Sequence, residues 1–134
     1  WPEAQAFTGA QSVDEAGERL LQMGCKAVLL KGEHLDSGDV VNRLYVTGKK
    51  VVEFPCERLP GQFHGSGCTL ASACAVGLGQ GLSVQEAVEL ALEYTWQALS
   101  CGFAIGKGQL IPDRMHLMQY LEDDGDDGDE NQIE

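Results

Sequence analysis

Gln62-Phe63-His64-Gly65-Ser66-Gly67-Cys68-Thr69-Leu70 is a run of small residues that passes directly into an apolar segment. Gly65 and Gly67 lack a Cβ, so the chain can turn sharply there and an anion can approach the backbone. The spacing predicts a helix from about Cys68 to Leu78, with its free N–H groups pointing back at the loop. Those donors and the positive end of the helix dipole make an anion site out of backbone. Cys68 stands at its mouth, where the same field should lower the thiol pKa. A Gly-x-Gly pair alone is more often a plain connection, with the Cys a small buried apolar side chain. The rest of the chain has to decide.

Upstream, Trp1 to Gly9 reads as a helical turn closed by Gly9. Ser12-Val13-Asp14-Glu15 is a capping box, in which Ser12 accepts a backbone N–H and Glu15 reaches back. A helix should follow to about Met23, with Val13, Ala16, Leu20, Leu21 and Met23 on its apolar face and Gly24 ending it. Cys25–Leu30 is a short apolar run that reads as a buried parallel strand. Lys31-Gly32-Glu33-His34-Leu35 then falls at its carboxyl end, where ligands bind in open α/β sheets. Lys31 is thus a candidate phosphate contact, although position alone equally suits a surface Lys. Val40–Val46 and Val51–Pro55 read as a hairpin about Thr47-Gly48-Lys49, with Pro55 at its end or on an edge.

Downstream, the small residues Ala71, Ser72, Ala73, Cys74, Ala75 and Gly77 would let the helix pack closely on a sheet. Gly79-Gln80-Gly81 ends that helix, so it is a C-cap rather than a nucleotide fingerprint. Ser83-Val84-Gln85-Glu86 is a second capping box opening a helix to about Ser100. Its apolar face is Val84, Val88, Ala91, Leu92, Thr95 and Leu99. Gly102–Gly108 fails the Walker A spacing and has no Ser or Thr after Lys107, though a loop over a nucleotide is still compatible. Ile111-Pro112-Asp113-Arg114 starts a short terminal helix to about Tyr120.

The 134 residues are enough for one domain with a core, and no apolar run approaches membrane-spanning length. The five Cys are odd in number and show no CxxC spacing, which suits reduced thiols in the cytoplasm. His64 and Cys68 have no second ligand pair, so zinc is not expected. The net charge of −12 is concentrated in Glu122–Glu134, which holds eight acidic residues and no basic ones. Without it thirteen acidic residues (21 less eight) face nine basic ones, a balance of −4. No basic patch argues for nucleic acid. The tail reads as disordered, since its Asp and Gly spacing does not fit a calcium loop.

Three pieces in order carry a resemblance: Pro2-Glu3-Ala4 with Thr8-Gly9; Val28-Leu29-Leu30-Lys31-Gly32-Glu33-His34-Leu35; and His64-Gly65-Ser66-Gly67-Cys68-Thr69-Leu70. Together they resemble the carboxyl half of hydroxymethylpyrimidine/phosphomethylpyrimidine kinase, a thiamine-pathway branch of the ribokinase-like superfamily. A Cys in place of the superfamily's usual Asp base marks this branch. The resemblance implies an α/β fold, a doubly wound and mostly parallel sheet with helices on both faces. Residues 1–121 would be its nucleotide-side half and 122–134 an acidic tail.

It also implies ATP and Mg²⁺ as cofactors. The N–H groups of Gly65, Ser66 and Gly67 would receive the transferred phosphoryl group, and Cys68 would accept a proton. Lys31 would pair with ATP phosphates, and Glu3 would organise Mg²⁺ through water. Gly106 and Gly108, in Ile105-Gly106-Lys107-Gly108, resemble the family's late glycine-rich turn at the cofactor. The substrate would be a small aminopyrimidine alcohol or its phosphate, with no nucleic acid or membrane partner; a homodimer of the intact protein is an open option.

Two departures stand out. Gln62-Phe63 replaces the family's Asn-Thr, and Gln109-Leu110-Ile111-Pro112 replaces its Gly-Pro. Members of the family are about twice this length, so the chain is expected to begin inside the fold and to be inactive alone. Two alternatives are a pyridoxal kinase of the same Cys-bearing type and a non-catalytic module that kept the fold.

Overall fold

The computed structural model describes residues 1–34 and 38–118. They divide into two compact units, Trp1–Arg58 and the residues from Leu59 onward. The break falls between Arg58 and Leu59.

The first unit opens with helix α1 (Pro2–Thr8), with Pro2 in its first turn and Gly9 closing it in the left-handed conformation at φ 66°. Helix α2 (Val13–Gln22) follows, and the Ser12 hydroxyl caps it by accepting the Glu15 N–H at 3.2 Å. The reciprocal half of the predicted capping box is missing. Glu15 instead accepts the Gln11 N–H at 2.7 Å and pairs with Arg19 one turn on. Arg19 also donates to the Thr8 carbonyl at 2.6 Å, so one guanidinium ties the end of α1 to α2. The Glu15 carboxyl pKa is lowered, first by the Gln11 N–H and then by Arg19.

Strands β1 (Ala27–His34), β2 (Val40–Val46) and β3 (Val52–Cys56) form a sheet in that order, and both ladders are antiparallel. Two expectations need correction. β1 does not end at Leu30 but runs on to His34, and among the described residues it pairs antiparallel with β2, not in parallel. The cause lies at Lys31-Gly32, where the register shifts between Leu30 and Glu33. Gly32 takes φ 79°, and its N–H donates to the Asn42 side chain at 3.2 Å. A glycine bulge lets the strand absorb an extra residue and continue. The hairpin turn is as predicted, with Gly48 at φ 74° and the Lys49 N–H bonded to the Val46 carbonyl. Pro55 lies on the outer strand β3, where a missing N–H is tolerated.

The core of this unit gathers Ala10, Val13, Ala16, Leu30 and Tyr45, with Leu20, Leu21 and Val28 packed against it. Tyr45 is 3% exposed, and its hydroxyl donates to Asp14 at 2.6 Å. A Cβ on Gly17 would stand 2.7 Å from the Tyr45 ring, so α2 lies on the ring only because residue 17 is glycine. Met23, expected on this face, is 63% exposed because it is the C-cap and already turns away.

The second unit is built on helices α3 (Ser66–Gly79) and α4 (Val84–Ser100), which pack on each other. A Cβ on Gly77 would come within 3.0 Å of the Ala87 Cβ, so the small residues of α3 serve a close approach to α4. The C-cap reading of Gly79-Gln80-Gly81 is borne out. Gly81 is left-handed at φ 87°, and the N–H groups of Gly81 and Leu82 bond back to Leu78 and Gly77. The second capping box is complete in both directions at Ser83 and Glu86. α4 buries Ala87, Val88, Ala91, Thr95 and Ala98, a narrower face than predicted, with smaller side chains at its centre. Residues 116–118 are helical, and the rest of the predicted terminal helix and the acidic tail lie outside the described residues.

Candidate functional site

The loop at 62–65 is held from one side by the segment that precedes Pro112. The His64 N–H donates to Leu110 at 2.9 Å, and Leu110 returns a bond to Gln62 at 2.7 Å. Phe103 and Ile111 bond each other in both directions, which closes the base of the 104–110 loop. The late glycine-rich turn is thereby brought next to the central loop, through backbone pairing that its sequence does not announce. Gly106 and Gly108 lie in this exposed excursion, with open space where a Cβ would stand. The two family departures both take part. Gln62 supplies a carbonyl to Leu110, and the Phe63 ring reaches within 2.9 Å of where a Gly102 Cβ would be.

Helix α3 starts at Ser66, two residues before the predicted Cys68. Gly65 is its N-cap at φ 86°, a conformation that disfavours any residue with a Cβ. Its carbonyl accepts the Thr69 N–H at 3.0 Å, the first bond of the helix. The N–H groups of Ser66, Gly67 and Cys68 therefore form the open first turn. Cys68 is third in the helix and exposed, not a buried apolar thiol. The correction of the start matters chemically, because it moves the thiol off the cap and onto the same turn as the free donors.

Sequence reasoning missed Arg114, which the fold brings to this loop from 45 residues beyond Thr69. Its Nε donates to the Thr69 hydroxyl at 3.0 Å, and a terminal nitrogen lies 3.5 Å from the Gly65 carbonyl. The backbone of this segment is fixed by α4, since the Asp113 N–H donates to Ala98 at 2.8 Å and the Tyr94 hydroxyl to the Arg114 carbonyl at 2.6 Å. Buried His116 packs its ring 5.0 Å from Tyr94, centroid to centroid. Cys68, Thr69 and Arg114 line an open groove of about 420 Å³ between α3 and α4, together with Val76, Leu90 and Tyr94. Only the Pro before the short 116–118 helix could have drawn attention to this segment.

Lys31 and Glu3 belong to the first unit. Lys31 is exposed at the β1 bulge instead of standing beyond the strand end. Glu3 is exposed in the first turn of α1. Its carboxyl pKa is lowered, chiefly by its own backbone N–H, then by the amino group of Trp1, with a smaller pull from Lys31. Glu3 thus feels the charge of Lys31. Among the described residues no group of three or more His, Cys, Asp or Glu could enclose a metal ion. A lone anionic carboxylate suits Mg²⁺, which keeps much of its water, and does not suit a caged ion. No zinc cluster is found among the described residues either, and all five Cys are free. No described helix is long and apolar enough to cross a membrane.

The fold is that of ribokinase-like α/β kinases. The structure of Bacillus subtilis pyridoxal kinase in its ADP complex superposes with a TM-score of 0.76 at 25% identity, covering 87% of this chain and 48% of that one. Staphylococcus aureus pyridoxal kinase bound to AMP-PCP gives a TM-score of 0.74 at 25% identity, over 84% of this chain and 44% of the other. The family model for phosphomethylpyrimidine kinase matches residues 1–113, and the chain belongs to that family. The thiamine biosynthesis bifunctional protein ThiED of Geobacter sulfurreducens is 41% identical over 113 residues, 80% of this chain and 23% of that protein. The hydroxymethylpyrimidine/phosphomethylpyrimidine kinase of Streptomyces coelicolor is 40% identical over 112 residues, 79% of this chain and 41% of its own length. The chain thus spans under half the length of these relatives.

Proposed function

We propose that this chain supplies the nucleotide-side part of an ATP-dependent kinase that phosphorylates hydroxymethylpyrimidine and its monophosphate. What carries the reading is the family match across residues 1–113 joined to an open first helical turn with an exposed thiol on it. The names of the Streptomyces and Geobacter relatives support the thiamine-pathway substrate. Nucleotide-bound pyridoxal kinases among the similar structures support ATP as donor.

In this reading the hydroxyl oxygen of hydroxymethylpyrimidine, or a phosphate oxygen of its monophosphate, attacks the γ-phosphorus of ATP, the bond from phosphorus to the bridging oxygen breaks, and ADP leaves. The hydroxyl or phosphate proton passes to Cys68 Sγ. The N–H groups of the α3 first turn and Gly65 receive the phosphoryl oxygens, and such fixed donors act where charge develops. Lys31 pairs with the nucleotide phosphates, and Gly106 and Gly108 let the late loop lie close to the nucleotide. Mg²⁺, held through water by Glu3, would screen the phosphate charge. Residues 1–121 form the kinase part and 122–134 an appended tail. The protein works in the cytoplasm on a small molecule, and any self-association would be as a homodimer.

The test is ADP release by the natural-length protein carrying these residues, with Mg-ATP and either hydroxymethylpyrimidine phosphate or pyridoxal. Turnover of the pyrimidine phosphate is expected. Turnover of pyridoxal alone would transfer the reading to the pyridoxal kinases that the structural matches favour. Turnover of neither would leave a non-catalytic module. Replacing Lys31 by Ala should raise the KM for ATP roughly tenfold, as loss of one charge-assisted contact does; an unchanged ATP dependence would remove Lys31 from the phosphates.

A further inference from the structure

We infer that Arg114 is a second, side-chain contact to the phosphoryl group received at the first turn of α3; this rests on the kinase reading above. Its guanidinium lies at that turn, close enough that a Gly65 Cβ would stand 2.6 Å from its terminal nitrogen. The glycine at 65 therefore serves the cation as well as the backbone turn. Arg114 donates from Nε to the Thr69 hydroxyl, and Thr69 donates on to the Gly65 carbonyl at 2.8 Å. These bonds set the plane of the guanidinium while engaging only neutral acceptors. No carboxylate among the described residues pairs with it. Its other terminal nitrogen has no described acceptor.

An arginine presents five donors in a rigid fork suited to phosphate oxygens. Three features single Arg114 out from a surface arginine. Its main chain is anchored by the Tyr94 hydroxyl. Its side chain is oriented by Thr69. It lines the same groove as Cys68. A cation held in place beforehand loses little freedom on binding. Backbone donors carry no net charge, and the fixed guanidinium adds one positive charge at the turn itself.

The test is a titration of the ¹⁵N-labelled chain with inorganic phosphate, read on the amides of Ser66, Gly67 and Cys68. Wild type should respond at these three amides. Arg114→Gln should weaken the apparent affinity about tenfold, and Arg114→Lys, which keeps charge but not the fork, by about threefold. Thr69→Val, which leaves the cation in place but unoriented, should fall between wild type and Arg114→Gln. An Arg114→Gln titration equal to wild type overturns the assignment and leaves the kinase reading intact. No response in wild type overturns the anion site, and with it both proposals. Amides of Ala91 and Ala98 in α4 report the fold. If they move in Arg114→Gln, Arg114→Lys decides: affinity within a few-fold of wild type supports the contact, and a loss of tenfold or more overturns it.

Discussion

Gly17 and Gly65 lack a side chain for different reasons. At Gly17 the Tyr45 ring fills the place of the Cβ, at 2.7 Å; at Gly65 the Arg114 guanidinium does, at 2.6 Å. The first contact joins a helix to the aromatic centre of a core, where neither side can move. The second joins a helix start to the far end of a flexible polar side chain, and φ 86° would strain any other residue there in addition. The two units differ in the same sense. Residues 1–58 hold their elements together with a cluster of apolar side chains. The residues from 59 onward pack two helices through Gly77 and Ala87 and leave the first turn of one of them free for chemistry. The missing Cβ serves packing at Gly17, as it does at Gly77 in the second unit, and a polar site at Gly65.

The sharpest break of this comparison is Cys68→Ala in the natural-length protein. Turnover should fall by about 10²–10⁴-fold, the usual worth of a positioned proton acceptor. ATP affinity and unfolding midpoint should stay near wild type. Undiminished turnover would show that the second unit's exposed thiol is not its proton acceptor.

Gly17→Ala should act in the opposite way. Overpacking against the Tyr45 ring costs about 1–3 kcal/mol, read as a lower midpoint in urea, with no specific change at the α3 first turn. Gly65→Ala should cost about 1–2 kcal/mol from the left-handed backbone and should in addition displace Arg114, weakening phosphate binding. Equal behaviour of the two variants would dissolve the distinction between packing and site glycines.

The smallest effect concerns pH. Burial, with help from the Asp14 hydrogen bond, pushes the Tyr45 hydroxyl pKa well above its usual value. In the unfolded chain the phenol ionises near about 10. The folded state keeps its proton longer, so its stability is full below that pH and declines as pH rises through it. A urea midpoint that falls above about pH 10 in wild type, and falls less in Tyr45→Phe, is the expected result. Identical profiles would show that Tyr45 is not the group responsible.

Sequence alone determined the pieces governed by local rules. The Gly9, Gly24 and Gly81 stops, the Ser12 and Ser83 caps and the 40–56 hairpin are legible because each needs a residue type within four positions of its partner. Three motifs in order, Pro2-Glu3-Ala4 with Thr8-Gly9, Val28–Leu35 and His64–Leu70, were enough to point to the kinase family that the match over residues 1–113 shows. The tertiary structure decided what depends on distant partners. Lys31 sits inside β1 because Gly32 bonds to Asn42 on the neighbouring strand. Glu15 turns from its own cap to the Gln11 N–H and the Arg19 guanidinium, which α1 and α2 bring within reach. Arg114 reaches the first turn of α3 because Tyr94 and Ala98 hold its backbone against α4. Caps and turns are short-range hydrogen-bond problems that a linear text contains. The position of a long cationic side chain depends on which helix its backbone docks against, and only the packed chain contains that.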